Sequence, residues 1–263
     1  LTKKLAKKLI YDIDDMVFLN NVSEANKIVL PLKGKKKIIK LMIYADHVIT
    51  TTPTLGRFIR KYNKNITLIP STVDTEKYKI KQDYTLHHPP VIGWSGSHST
   101  SKYLKILEPV FENLYIKNID FQVLVIGDED FNFSNSKIPL TKVAWDINTE
   151  INYLYQIDIG LHPLIDERWI YGKLGAKTLI YMSIGIPTIA SANGNNFYII
   201  SDAENGFLVP INDLDLWERR IMQLLSDNEL REKIGKKGRE TVEAYYSLEA
   251  NKNKYLSILE SMI

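Results

Sequence analysis

No cysteine occurs among the 263 residues, so disulfides, thiolate metal sites and a cysteine nucleophile are excluded. That absence suits a reducing compartment, and the expected location is cytoplasmic. No apolar run approaches the length needed to cross a bilayer, and no leader pattern of charge, apolar core and small residues opens the chain. Histidine is scarce, and His47, His87, His88, His98 and His162 show no metal-ligand spacing. Three signatures are also missing: the Walker A loop, the GxGxxG dinucleotide fingerprint and the Gly-x-Ser-x-Gly elbow of serine hydrolases. What is present is ordinary for a globular protein, with 44% hydrophobic and 25% charged residues. The length is enough for two modest cores.

Charge is unevenly spread. Residues 1–40 hold ten lysines, no arginine and four acids, a net +6, so the remaining residues of this +3 chain sum to −3. A basic segment beside a near-neutral body points to a peripheral contact with an anionic surface, such as the inner leaflet or an acidic acceptor; lysine-rich helices that keep an outer face wet read the same way. No recognition motif accompanies the charge, so nucleic acid is not an expected partner.

Short β-type runs alternate with helical stretches, the pattern of an α/β fold with parallel sheets. "KLIYDID", "ADHVITTT" and "NITLIPSTVD" supply the first strands. "YKIKQDYTLHHPP" has neither period and reads as a linker. Beyond it, "VIGWSG", "FQVLVIG", "KVAW", "IDIGLHPL", "IPTIAS" and "GFLVP" are strands separated by helices, including 100–116 and 170–184. Several βα units in so short a span describe a doubly wound, Rossmann-like domain, in which ligands sit at the carboxyl ends of the strands. The expected organisation is 1–85 for a first domain and linker, 86–246 for the Rossmann-like domain, and 247–263 for a closing helix.

Three stretches could carry chemistry. In "GWSGSHSTSKYL", Gly96 and Ser97 stand at a strand-to-helix turn, where glycine admits a ligand and hydroxyls and N–H groups can receive a phosphate; a capped helix is the plainer reading. In "HPLIDERWIYGKLGAKTLIYMSIGIPTIAS", a helix beginning near Trp169 places Lys173 and Lys177 one turn apart on one face. Like charges repel at that spacing, and a cation in a first turn opposes the helix dipole. A bound anion such as a pyrophosphate relieves both; pairing with Asp166 and Glu167 would do so without a ligand. In "YDIDD", Asp12, Asp14 and Asp15 end a strand, where they could meet a metal or a polar acceptor, or simply close an Asx-type turn. No fourth ligand lies nearby in sequence, and no metal site is expected.

Residues 40–263 resemble the retaining glycosyltransferases of GT-B fold, family 4. The resemblance rests on "ADHVITTT" with "NITLIPSTVD", then "VIGWSG", "FQVLVIGD", "IDIGLHPL", "YMSIGIPTIAS", "AENGFLVP" and the closing "SLEANKNKYLSILE". "LIYDIDD" looks like a piece recurring in one branch of that family. The resemblance implies two Rossmann-like domains, the first lacking its beginning, with a final helix crossing back to it. It implies a nucleoside-diphosphate sugar (UDP or GDP type) bound by the second domain and a glycan or lipid-linked acceptor held by the first. No metal or other cofactor is implied, and the setting would be bacterial surface-glycan assembly.

Where many members carry an arginine and a lysine after the first strand of the second domain, this chain has Trp94 and Lys102. Aligning on Met182 and Gly185 puts Gly172 and Ile180 where the usual two glutamates stand. The donor and phosphate candidates are therefore Gly96, Ser97, Lys102, Asp166, Glu167, Lys173 and Lys177. Trp94, Trp145 and Trp169 could stack on a base or sugar, with Asp12, Asp14 and Asp15 on the acceptor side. Two further readings stay open, a nucleotide-sugar-binding module without activity and a sugar-nucleotide epimerase of the same fold.

Overall fold

A computed structural model describes residues 6–18 and 34–263. The chain divides into two compact units. The first gathers Leu1–Thr72, Asp166–Leu174 and Leu248–Ile263, and the second Val73–Ile165 and Gly175–Ser247. The change of unit at Thr72 comes earlier than the expected 85, because the linker packs on the second unit. Segment 166–174 interrupts the second unit in sequence.

The first unit is built on three parallel strands in the order β1-β2-β3 (Ile10–Ile13, His47–Thr50, Ile66–Leu68). Helices α1 (Lys35–Tyr44) and α2 (Pro53–Ile59) cover one face through Ile38, Met42, Leu55 and Ile59, packed with Ile13 and Val48. Thr52 caps α2 by accepting the Leu55 N–H at 3.1 Å, and Pro53 follows at the helix start, where its missing N–H costs nothing. The closing helix, numbered α10 in chain order (Leu248–Glu260), places Ile258 against Ile49 and Ile69 on the other face.

The second unit holds a six-stranded parallel sheet in the order β6-β5-β4-β7-β8-β9. In chain order these are Val91–Ser95, Gln122–Ile126, Leu140–Val143, Ile159–His162, Thr188–Ser191 and Phe207–Val209 for β4 to β9. Numbered within the unit, the order is 3-2-1-4-5-6, the doubly wound arrangement. Every residue of β4, β7 and β8 is buried, which is why these strands read as unbroken apolar runs in sequence.

Helices α4 (Glu108–Ile116), α6 (Ala176–Ile184), α8 (Leu214–Ser226) and α9 (Asn228–Thr241) flank the sheet, with shorter α3 (His98–Ser101), α5 (Glu150–Leu154) and α7 (Asn196–Ile199) between them. Trp217, Ile221 and Leu224 of α8 recur at helical spacing and enter the core, and Asp213 caps that helix on the Leu216 N–H.

The linker is fastened by two arginines of α9. Arg239 donates to the carbonyls of Thr75, Tyr78 and Ser183, and Arg231 to those of Tyr84 and Leu224.

Two helix expectations are corrected. The stretch expected as one helix over 100–116 is α3, a 3-10 turn (Leu104–Leu107) and α4, with Pro109 in the first turn of α4. The stretch expected as one helix over 170–184 is a 3-10 turn at Arg168–Tyr171, a break, and α6 from Ala176. Lys173 therefore lies outside the helix that carries Lys177, and the two do not share a helical face.

Candidate functional site

In the second unit, β4 and β7 are neighbours, and the chain leaves them in opposite directions along the sheet, β4 toward β5 and β7 toward β8. The strand order reverses between them, so a crevice opens at their carboxyl ends. The residues at those ends are Ser95–Gly96–Ser97 and His162, with Gly127–Asp128 at the end of the neighbouring β5, and α6 starts beside them.

Two glycines make the close packing there feasible. Gly127 turns with φ of 101°, and a Cβ on it would fall 2.4 Å from the Gly96 carbonyl oxygen. At Gly96 an added Cβ would fall 2.5 Å from both Cε and Nζ of Lys177 and 2.8 Å from Cη2 of Trp94. Lysine 177 thus lies directly against the notch that Gly96 leaves. Its Nζ donates to Thr100 Oγ1 at 3.1 Å and stands 4.3 Å from the centre of the Trp94 ring.

The Gly96 N–H is already committed to the Ile126 carbonyl at 2.9 Å, so what Gly96 contributes is the space that the Lys177 ammonium occupies. Ser97 Oγ meets Ser99 Oγ at 3.0 Å at the start of α3, and the Ser95 N–H donates to the Tyr181 hydroxyl of α6 at 2.7 Å. Burial pushes that phenol up to about 12, so it stays neutral.

Beside this loop, Asp128 is 4% exposed and 3.3 Å from the His98 ring. Burial works against its ionisation, but hydrogen bonds from Ser101 and His98 outweigh it and hold the carboxyl below its usual range. His162 shares a hydrogen bond with Thr178 Oγ1 at 2.8 Å. Burial first, and the Lys177 charge second, push its pKa down to about 3. At the next strand end the Leu164 N–H donates to Ser191 Oγ, and the Asn193 amide donates to the Leu164 carbonyl, both at 2.7 Å.

The sequence candidates separate into groups. Gly96, Ser97 and Lys177 come together at the crevice. Lys102 is exposed nearby on the loop, with its ammonium 5.0 Å from the Tyr103 ring centre. Of the tryptophans, Trp145 is 57% exposed and its Cβ approaches the Gly127 turn. Trp94 has no exposed surface and belongs to the core, with its ring face taken by Lys177, which corrects its expected stacking on a base or sugar.

Asp166, Glu167, Trp169 and Lys173 belong to the first unit. There Lys173 Nζ pairs with Asp15 at 3.3 Å, Thr52 donates to the Tyr171 carbonyl at 3.4 Å, and Gly172 packs on Met16. Asp166 accepts from the Tyr171 hydroxyl at 2.6 Å, and Glu167 accepts from the Trp169 indole N–H. Asp12 and Asp14 end β1 beside them; partial burial and the Asp14 charge raise the Asp12 pKa.

Thr100, Gly127, Asp128, Thr178 and Tyr181 complete the crevice; Gly127 and Asp128 follow the strand "FQVLVIG", where ligand-binding residues are expected, whereas Thr178 carried no local signal. Among the described residues no cluster of three or more acidic, histidine or cysteine side chains is arranged to hold a metal ion, and no helix is long and apolar enough to cross a membrane.

Against known proteins, the sequence model of the glycosyl transferases group 1 matches residues 76–241. The chain is 44% identical over 94 residues to a putative glycosyltransferase, EpsD, of Bacillus subtilis, covering 35% of this chain and 23% of that protein. It is 24% identical over 186 residues to the capsular polysaccharide biosynthesis glycosyltransferase CapM of Staphylococcus aureus, covering 66% and 47%. The chain thus spans about half or less of the length of these relatives. Among solved structures, Anabaena HepE in complex with UDP-glucose superposes with a TM-score of 0.72 at 14% identity, covering 97% of this chain and 72% of that one.

Proposed function

The chain belongs to the group 1 glycosyl transferases, and from that premise we propose that it takes part in moving a sugar from a nucleoside-diphosphate sugar to a hydroxyl acceptor. The observation that carries this reading is Lys177, lodged at the Gly96 notch where the strand order of the second unit reverses. In such a transfer the bond from the anomeric carbon to the β-phosphate oxygen breaks, the acceptor oxygen takes its place, and the acceptor's hydroxyl proton leaves with the diphosphate. Negative charge collects on the departing diphosphate, so a fixed cation aimed at it lowers the barrier. Lys177 supplies that charge, and Ser97 adds hydroxyl contacts. Trp145 offers an exposed ring for the base.

Resemblance to the family supports retention of configuration, a hexose-type sugar and independence from metal. The UDP-glucose held by HepE supports a UDP-type donor, with GDP the alternative. The likeness to CapM, named for capsular polysaccharide biosynthesis, supports a glycan or lipid-linked acceptor in bacterial surface-glycan assembly. The site would face the cytoplasm, with the lysine-rich segment 1–40 at the inner leaflet. Asp12, Asp14 and Asp15 are the acceptor-side candidates. Asp166 and Glu167 stay with them on the segment that Lys173 ties to Asp15, which leaves Lys177 as the principal phosphate contact.

Isothermal titration with UDP, GDP, ADP and the monophosphates, with and without magnesium, tests the reading. One diphosphate should bind saturably in either condition. Lys177→Ala should weaken it by about 1–3 kcal/mol, the range of a hydrogen bond to a charged group, and Lys173→Ala by much less. Absence of binding by every diphosphate would overturn the donor-site assignment.

A further inference from the structure

The crevice contains a tryptophan whose presence is costly by ordinary packing rules. Trp94 is fully buried, and its indole N–H has no hydrogen-bond partner among the described residues. A phenylalanine or leucine would fill a core position without stranding a buried donor, which carries a desolvation cost. The compensating feature lies on the ring face, where the Lys177 ammonium stands 4.3 Å from the ring centre. Attraction between a cation and an indole face is strongest where water is excluded.

Thr100 holds the same ammonium from the other side. It accepts from Lys177 Nζ at 3.1 Å while donating to the Ser97 carbonyl at 3.0 Å, so its hydroxyl is used in both senses. Neither contact comes from α6, which carries the lysine; one comes from β4 and the other from α3, the short helix that follows it.

Resting on the donor-site reading above, we infer that Trp94 and Thr100 are positioning residues that hold the Lys177 ammonium at the Gly96 notch, so that the phosphate cation of this chain is borne by α6 and aimed from β4. A lysine has a long stem with many rotamers, and left to itself would spread its charge over a wide volume. The indole face, the threonine hydroxyl and the open side of Gly96 confine it to one place. Confinement before the ligand arrives reduces the ordering cost of binding.

Two measurements separate this inference from the reading it rests on. The first needs no ligand. With selectively labelled lysine, the Lys177 ε-methylene resonance should be shifted upfield by the indole ring current, and the shift should collapse in Trp94→Leu. An unshifted ε-methylene in the unaltered protein overturns the inference, whether or not any nucleotide binds.

The second is a double-mutant cycle on diphosphate affinity. Trp94→Leu should weaken binding by about fivefold, within the range of a buried cation–π contact. Trp94→Phe, which keeps a ring face, should recover most of that loss, and Thr100→Val should weaken binding about threefold, as for one lost hydrogen bond. Once Lys177 is replaced by methionine, neither change should weaken binding further. Full additivity overturns the inference, because a purely structural effect of Trp94 would persist without the lysine. If the unaltered protein binds no diphosphate while the ring-current shift is present, the donor-site reading fails and the positioning of Lys177 stands.

Discussion

His162 closes β7 with its imidazole shut away from water, hydrogen-bonded to Thr178. With a native pKa near 3, the ring is neutral in the folded state at any pH above that value. In the unfolded chain it takes up a proton below about pH 6.5. Between those limits the unfolded state binds more protons, so acid favours unfolding. The contribution is flat above pH 6.5, then costs up to about 1.4 kcal/mol for each pH unit on the way down to the folded pKa. Urea unfolding of His162→Gln should lose stability more gently than the unaltered protein between pH 6.5 and 4; parallel slopes would mean that the folded imidazole is charged.

The same scale shows what local sequence could reveal. Gly96 was legible as a glycine at a strand end, and Lys177 as a lysine one turn from Lys173; the cation expected in a helix's first turn was Lys173, which lies outside α6. The reason at Gly96 is still tertiary, since its N–H is spent on Ile126 and its open side is filled by a lysine 81 positions later. Nothing in the sequence distinguishes the buried Trp94 from the exposed Trp145.

At the scale of elements, the strands stood out and the helix starts did not. A fully buried strand such as β4 or β8 is an apolar run with abrupt ends, and its ends follow from composition alone. The break between Tyr171 and Ala176 has no such signature. Its cause is the packing of the 3-10 turn on Asp15, Met16 and Thr52, residues more than a hundred positions away.

The linker, legible as irregular, owes its fixed path to α9. Arg239 is 9% exposed, and its guanidinium donates to three linker or α6 carbonyls while pairing with Glu243 at 2.6 Å. Removing it takes a donor from one buried and two part-buried carbonyls. Arg239→Ala should lower unfolding free energy by about 2–4 kcal/mol, as for other broken buried polar networks. A loss under about 0.5 kcal/mol in equilibrium urea unfolding would show that water replaces the arginine at no cost.

Over the whole molecule, the parallel sheets and their helices followed from the alternating periods, whereas the membership of segment 166–174 did not. The charge imbalance also belongs to this scale. Of the ten lysines in residues 1–40, Lys3, Lys4, Lys27 and Lys33 lie outside the described residues, while Lys35, Lys36, Lys37 and Lys40 lie on α1, all exposed. A surface of that sign should bind vesicles containing anionic lipid and release them as salt shortens the range of the interaction to about 3 Å near 1 M. Cosedimentation that is equal for neutral and anionic vesicles, or unchanged by salt, would remove the inner-leaflet contact.

The segment Asp166–Leu174 has a consequence for recombination. It is encoded within the second unit's stretch of sequence, yet it rests on Asp15 and Thr52 of the first. A chimera joined at Thr72 and Ser247, the natural places to cut, would give this segment a foreign Asp15 and Met16 to sit on. The two halves of the chain therefore cannot be exchanged as independent cassettes unless residues 166–174 travel with the half they touch rather than the half they are written in.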